Sequence, residues 1–132
     1  MTERESRRLA PEDRRRVGQA GEAIAVAHLA REPSWRVLET NVYFRAGELD
    51  VIALDGDVLV FVEVRGRWSV SGPRAEDSVT RTKQRRLTRA AMLWLQRHPE
   101  HRRRRARFDV IALDLRKGCV VAHHRSAFDA EA

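Results

Sequence analysis

The 132-residue sequence has one cysteine, Cys119, and only two lysines, Lys83 and Lys117. A lone cysteine cannot form an internal disulfide or a cysteine-rich zinc site, and it fits a reducing compartment. No apolar run approaches the roughly 18 to 20 residues needed to cross a bilayer, and Met1–Arg16 is charged throughout, without the apolar centre of an export signal. A cytoplasmic protein with no membrane partner is therefore expected. Aromatic residues are also scarce, at 6%. Trp35 and Trp94 read as packing residues; Trp68, beside Arg65 and Arg67, is the one tryptophan placed to stack on a base.

Charge is what the chain has in excess. The length suits one domain, and 42% apolar residues can fill its core. Lys and Arg number 26 against 19 Asp and Glu, a formal net charge of +7 that points to a polyanionic partner. The preference for Arg over Lys is what a genome-wide coding bias produces, so position says more than identity. Glu63 to Arg107 carries 14 basic and 4 acidic residues, a net of +10, while the rest of the chain nets −3. A surface that tracks phosphates has this asymmetry, although most charge runs are only solvated faces.

Residues 1–13 alternate in charge and read as a mobile lead-in, residues 14–125 as the domain, and residues 126–132 as a tail. Arg14 to Arg31 has helical periodicity and is apolar nearly all round, with Pro33 as its stop. Three strand-like runs follow, Arg36 to Phe44, Glu48 to Leu54 and Val58 to Arg65, the last two joined by an Asp55-Gly56 turn with φ > 0 at both positions. Gly66 to Asp77 reads as a loop. Thr80 to Arg97 is a second helix, with Leu87, Ala90, Ala91, Trp94 and Leu95 facing inward and Arg81, Arg85 and Arg89 forming a basic edge at i, i+4 and i+8. The run His101 to Arg107 is too basic for a core, and Phe108 to Leu115 and Val120 to His124 form a last strand pair. The fold class is α/β, with a mixed sheet of about five strands flanked by helices in the order αβββαββ.

Pairing the hairpin about Asp55-Gly56 sets Glu48 opposite Glu63 and makes Asp50 and Glu63 diagonal neighbours, roughly 7 to 8 Å apart at the backbone. Asp50, Ile52, Leu54, Leu59, Phe61, Glu63 and Arg65 then share one face, and Leu49, Val51, Ala53, Val58, Val60, Val62 and Val64 the other. Strands apolar on both faces are covered on both. Burying an ionised carboxylate costs several kcal/mol, so Asp50 and Glu63 need a partner. That partner is either an internal cation, Arg65 or Arg45, or a divalent ion. Glu22 favours the ion: it shares a helix stripe with Ala25, Val26 and Leu29, so a third carboxylate points into the protein. Hard carboxylate oxygens are how Mg²⁺ is held beside phosphates. Gln84, in line with Leu87 and Ala91, also looks inward, as a site residue or as a buried amide satisfied by the backbone.

Gly47-Glu-Leu-Asp50, Val60-Phe-Val-Glu63-Val-Arg65-Gly-Arg67, Lys83-Gln-Arg-Arg-Leu87 and Arg107-Phe-Asp-Val-Ile-Ala112, preceded by Gly18-Gln-Ala-Gly-Glu22, together resemble the YraN family of small bacterial proteins. The resemblance covers about residues 14–115. It implies a restriction-endonuclease-like core of the PD-(D/E)xK nuclease superfamily, related to archaeal Holliday-junction resolvases. It further implies Asp50 and Glu63 as metal ligands for Mg²⁺ or Mn²⁺, completed by Glu22, with Arg65 in the place of the superfamily's Lys and Gln84 as its helix Gln. Junction-cutting relatives act as dimers, so a homodimer is implied by resemblance alone. Two departures stand out. Leu49 replaces the motif's Pro, a loose position. Arg65 replaces Lys, and a guanidinium cannot serve as a general base, though it can orient water or offset developing charge. Lys83, next to Gln84, could act as a relocated lysine.

Two functions compete. A metal-dependent DNA endonuclease would use Asp50, Glu63 and Glu22 for the metal and Arg65, Gln84 and Lys83 at the phosphate. The backbone would be tracked by Arg67, Arg81, Arg85, Arg89 and the His101 to Arg107 run. A non-catalytic nucleic-acid-binding protein of the same fold would bind DNA without needing metal. His98 and His101 straddle a Pro and make a poor zinc pair; His123 and His124 point to opposite strand faces and read as solvated or edge residues; Cys119 reads as a small apolar strand residue.

Overall fold

Strands apolar on both faces must sit between layers, and the second and third strands do. The computed structural model describes residues 11–67 and 79–130, and side chains from residue 18 onward. Helix α1 spans Pro11–Leu29, followed by β1 (Trp35–Phe44), β2 (Gly47–Asp55) and β3 (Val58–Arg67). Helix α2 (Arg81–Arg97), a 3₁₀ turn, β4 (Ala106–Asp114) and β5 (Cys119–Phe128) complete the order αβββαββ. The five strands lie in the order β1-β2-β3-β4-β5, antiparallel except for the parallel pair β3–β4. Parallel neighbours need a long crossover, and α2 lies within it. The result is an α/β fold with a mixed sheet, the arrangement of a restriction-endonuclease-like core.

Each helix covers one face. Ala25 and Leu29 of α1 pack on Val51, Ala53, Val60, Val62, Ile111 and Leu113. Leu87, Ala90, Ala91 and Trp94 of α2 pack on Ile52, Leu54, Leu59, Phe61, Phe108 and Val110. α2 begins with Thr80, whose hydroxyl accepts the Lys83 N–H at 3.2 Å and so satisfies one of the free donors of the first turn. The antiparallel return from β3 puts this N-terminal turn near the C-terminal half of β3, where Glu63 lies.

Several expectations are corrected. The hairpin closes with Asp55 opposite Val58, so its two-residue turn is Gly56-Asp57, one residue later than expected, and only Gly56 takes a positive φ, of 60°. The face parity survives, because the register moves by two. Leu49 leaves its expected face and packs with Ile52 and Leu87. α1 is not apolar all round: Ala20, Ala23 and Ala27 are exposed, because alanines fill a solvent face as readily as a core. It starts at Pro11, inside the expected lead-in, and ends at Leu29, short of Pro33. β5 runs to Phe128, into the expected tail, because Phe128 stacks on Phe108 with ring centroids 4.8 Å apart. Most of the expected Gly66–Asp77 loop, including Trp68, lies outside the described residues.

The far ends of the strands are tied by a polar network. Asp109 is fully buried; it accepts hydrogen bonds from Arg107 Nε at 3.0 Å and the Ser126 N–H at 3.0 Å, and its Oδ2 lies 2.8 Å from His123 Nε2. Arg107 also reaches Asp55 at 2.8 Å. Burial pushes the Asp109 carboxyl up, but the bonds to His123 and Arg107 outweigh it and hold it below the ordinary range. One expectation falls here: Arg107 is a structural cation rather than part of a phosphate track. His123 lies on the edge strand β5, as expected, and is a half-buried partner of Asp109. Cys119 is exposed at the start of β5 rather than packed. Trp94, 2% exposed, stacks on His98 at 3.9 Å and on His101 at 5.5 Å, so the two histidines cover the tryptophan instead of facing a shared ion.

A carboxylate cluster at the break in strand β2

Strand alternation should send Glu48 and Asp50 to one face and Leu49 to the other, and the α2 layer claims Leu49. The alternation is thus broken at Asp50. Across the sheet, the β1–β2 register shifts between Val37 and Glu39 and then holds through Thr40↔Val51 and Val42↔Leu49, and the intervening Asn41 has a left-handed φ of 53°, a conformation Asn tolerates better than most residues. Glu48 and Asp50 lie beside Glu22 of α1. Oxygens of Glu22, Glu48 and Asp50 lie within 4.8 Å of one another.

Glu22 is 7% exposed, and its Oε2 is buried with no hydrogen-bond partner among the described residues. Burial raises its pKa, with the negative charges of Glu48 and Glu63 adding to the effect and hydrogen bonds with Asn41 and Asp50 pulling it back. Asp50 accepts the Val64 N–H at 2.9 Å through Oδ2. Its pKa is pushed up to about 9, first by burial and then by the charge of Glu63, with the Val64 bond opposing. The β2–β3 ladder runs to Val51↔Val62, which leaves Asp50 and Glu63 as neighbours at its end.

Glu63, 5% exposed, has cations beside it: Lys83 Nζ stands 2.9 Å from its Oε1, and Arg65 Nη1 3.7 Å. Lys83 thus reaches from the first turn of α2 to the carboxylate that sequence reasoning assigned to the metal. Gln84 does not join them; its Nε2 donates to the Val79 carbonyl at 2.9 Å, the backbone-satisfied alternative. Glu48, Asp50, Glu63, Lys83 and Arg86 line an open cleft of about 140 Å³. Arg81, Arg85 and Arg89 are exposed along α2, whereas Arg67 is half-buried with its Nη2 enclosed and without a hydrogen-bond partner among the described residues. The run from Arg102 to Arg105 lies at the opposite end of β3 from Glu63: Arg105 accepts the Leu59 N–H at 2.8 Å, about 13 Å of strand away from Glu63.

Sequence reasoning missed two members of this cluster. Glu48 had a usable signal, its i, i+2 spacing from Asp50, but was placed only as the cross-strand partner of Glu63. Asn41 had none, because nothing local announces a left-handed residue in mid-strand.

The fit to a hard divalent ion rests on the donor set, carboxylate oxygens from two elements, and on the orphaned buried oxygen of Glu22. Comparison with known proteins places this arrangement in a family. A profile described as "Uncharacterised protein family UPF0102" matches residues 21–113. A UPF0102 protein of Alkalilimnicola ehrlichii is 47% identical over 105 residues, spanning 80% of this chain and 82% of its own. One of Myxococcus xanthus is 44% identical over 125 residues, 94% of this chain and 98% of its own. A third, of Stutzerimonas stutzeri, is 45% identical over 96 residues, 73% of this chain and 79% of its own. The matched span holds Glu22, Glu48, Asp50, Glu63 and Lys83 together, and the chain belongs to the uncharacterised family UPF0102, which is the YraN family.

Proposed function

We propose that the protein is a divalent-metal-dependent endonuclease that hydrolyses DNA phosphodiesters in the cytoplasm. The observation that carries this reading is the convergence of Asp50 and Glu63 beside Lys83 at one open cleft, with Glu22 against Asp50. Buried carboxylates of one sign oppose folding, and a structural explanation would supply each with a cation. Among the described residues, ion pairs with Lys or Arg reach Glu63 but not Glu22 or Asp50.

In this reading Asp50, Glu63 and Glu22 hold Mg²⁺ or Mn²⁺. When bound, the ion lowers the pKa of the attacking water and offsets charge on the scissile phosphate. The Lys83 ammonium and the Arg65 guanidinium face the same cleft, where they orient the phosphate and offset the charge that develops on it. The Val64 N–H fixes one Asp50 oxygen and leaves the other toward the acid cluster. Arg81, Arg85 and Arg89, exposed on the helix that carries Lys83, follow the nucleic-acid backbone away from the cleft without reading sequence. Gln84 secures the start of that helix, a positioning role rather than a chemical one.

The test is cleavage of labelled duplex, single-stranded, flap and four-way-junction DNA in Mg²⁺ or Mn²⁺, with Glu63→Ala run in parallel. Metal-dependent products that vanish in the variant are expected. Binding without products would overturn the reading in favour of a non-catalytic binding protein, and equal products from both proteins would mean that the activity is not this chain's.

A further inference from the structure

We infer that Glu48 is a further metal ligand, and that Glu22, Glu48 and Asp50 form the α1 side of the divalent-cation seat, which Glu63, already paired with Lys83, completes from β3. The inference deepens the proposed metal dependence and rests on it, but it does not rest on catalysis. The two strands divide the acids. Glu63 has a cation 2.9 Å away in Lys83 and a second at 3.7 Å in Arg65. Glu22, Glu48 and Asp50 bring oxygens within 4.8 Å of one another and have no Lys or Arg ion pair among the described residues. At that separation the three carboxylates repel one another when ionised, so only a bound cation lets all three carry their charge together.

A cluster of acids alone would be ordinary. Here the second observation is the Glu22 Oε2 atom, enclosed on a residue that is 7% exposed, with no hydrogen-bond partner among the described residues. A buried carboxylate oxygen left unpaired costs free energy that a surface acid does not, and a coordinated ion removes that cost. The backbone agrees. Leu49 packs in the α2 layer against strand alternation, while Glu48 and Asp50 lie beside Glu22 and next to the left-handed Asn41. Carboxylate oxygens and water are the ligands that Mg²⁺ and Mn²⁺ prefer.

The seat is tested on the protein alone, without nucleic acid. Mn²⁺ binding is followed by the loss of its free-ion electron paramagnetic resonance signal, for wild type, Glu48→Gln, Glu22→Gln and Glu63→Gln. Circular dichroism and thermal melting confirm that each variant is folded, and Glu48→Asp serves as the conservative variant. Glu48→Gln is expected to weaken Mn²⁺ binding at least about tenfold, comparably to Glu22→Gln. Glu63→Gln is expected to change it less, and Glu48→Asp to recover part of the loss. Wild-type affinity in a folded Glu48→Gln, or a loss confined to Glu63→Gln, overturns the seat. Mn²⁺ bound through Glu48 with no DNA cleavage would sink the nuclease reading and leave the seat standing. Cleavage that survives Glu48→Gln with unchanged Mn²⁺ affinity would do the reverse.

Discussion

Replacing Asp50 by Asn should stabilise the metal-free protein, and more so as the pH rises. The fold pushes the Asp50 carboxyl up to about 9, by burial first and the Glu63 charge second, whereas an unfolded chain holds an Asp near 3.9. Between those values the native state binds a proton that the unfolded state has released, so stability falls as pH rises through the window. At pH 7 the protonation cost is about 4 kcal/mol, from roughly three pH units at 1.36 kcal/mol each. Asn carries no such cost and keeps an oxygen to accept the Val64 N–H. Allowing for the share of the proton taken by Glu22, Asp50→Asn should gain about 2 to 4 kcal/mol at pH 7 and little near pH 4. The assay is urea unfolding by circular dichroism in chelator at pH 5, 7 and 8.5. Saturating Mn²⁺ should narrow or close the gap, since an ion at a hundred times its Kd stabilises the wild type alone by about 2.7 kcal/mol. A gap that does not change with pH, or an Asp50→Asn protein less stable than wild type at pH 8.5, would refute the reasoning.

Other substitutions separate structure from chemistry. Asp109→Asn should cost about 3 kcal/mol in urea unfolding at pH 7, because Arg107 keeps only Asp55 and His123 loses its anion. Since the Asp109 carboxyl is held below its ordinary range, that contribution exists above the unfolded pKa and fades as the pH drops, so the gap should close in acid. Lys83→Met should lower DNA cleavage by about a hundredfold or more with the fold unchanged in circular dichroism, and Lys83→Arg with full activity would show that any cation suffices there. Arg85→Glu with Arg89→Glu should weaken binding to all DNA sequences alike and flatten the dependence of log K on log salt by about two units, read by fluorescence anisotropy.

Much of this fold is legible because two-sided burial and helix periodicity are strong local signals. The runs from Arg36 to Phe44 and from Val58 to Arg65 read as strands and fall within β1 and β3, and the apolar stripe of Leu87, Ala90, Ala91 and Trp94 required a sheet face to cover. The hairpin turn was misplaced by one residue, yet Asp50 and Glu63 still converged, because a shift of two in register preserves side-chain parity. What escaped was set by tertiary competition. Leu49 is pulled to the α2 layer against its alternation, and no neighbouring residue foretells that. Arg107 looked like part of a basic run and is claimed instead by Asp55 and Asp109, partners 52 and 2 positions away. The clearest loss was Glu48, whose side chain lies beside Glu22 where the strand alternation is broken.

Asp50 explains how acids from both faces of one sheet can act together. In a regular sheet Glu22, on the helix above, and Glu63, beside the helix below, would be separated by the strands themselves. Asp50 lies at the junction: it shares a hydrogen bond with Glu22 and feels the charge of Glu63. One helix brings an anion to the junction and the other brings Lys83, so the cluster has a negative side under α1 and a neutralised side under α2. A phosphodiester, itself anionic, is repelled by the first and tolerated by the second. Under the proposed function the metal therefore belongs on the α1 side of Asp50 and the phosphate approaches from the α2 side, along the helix whose outer edge carries Arg81, Arg85 and Arg89.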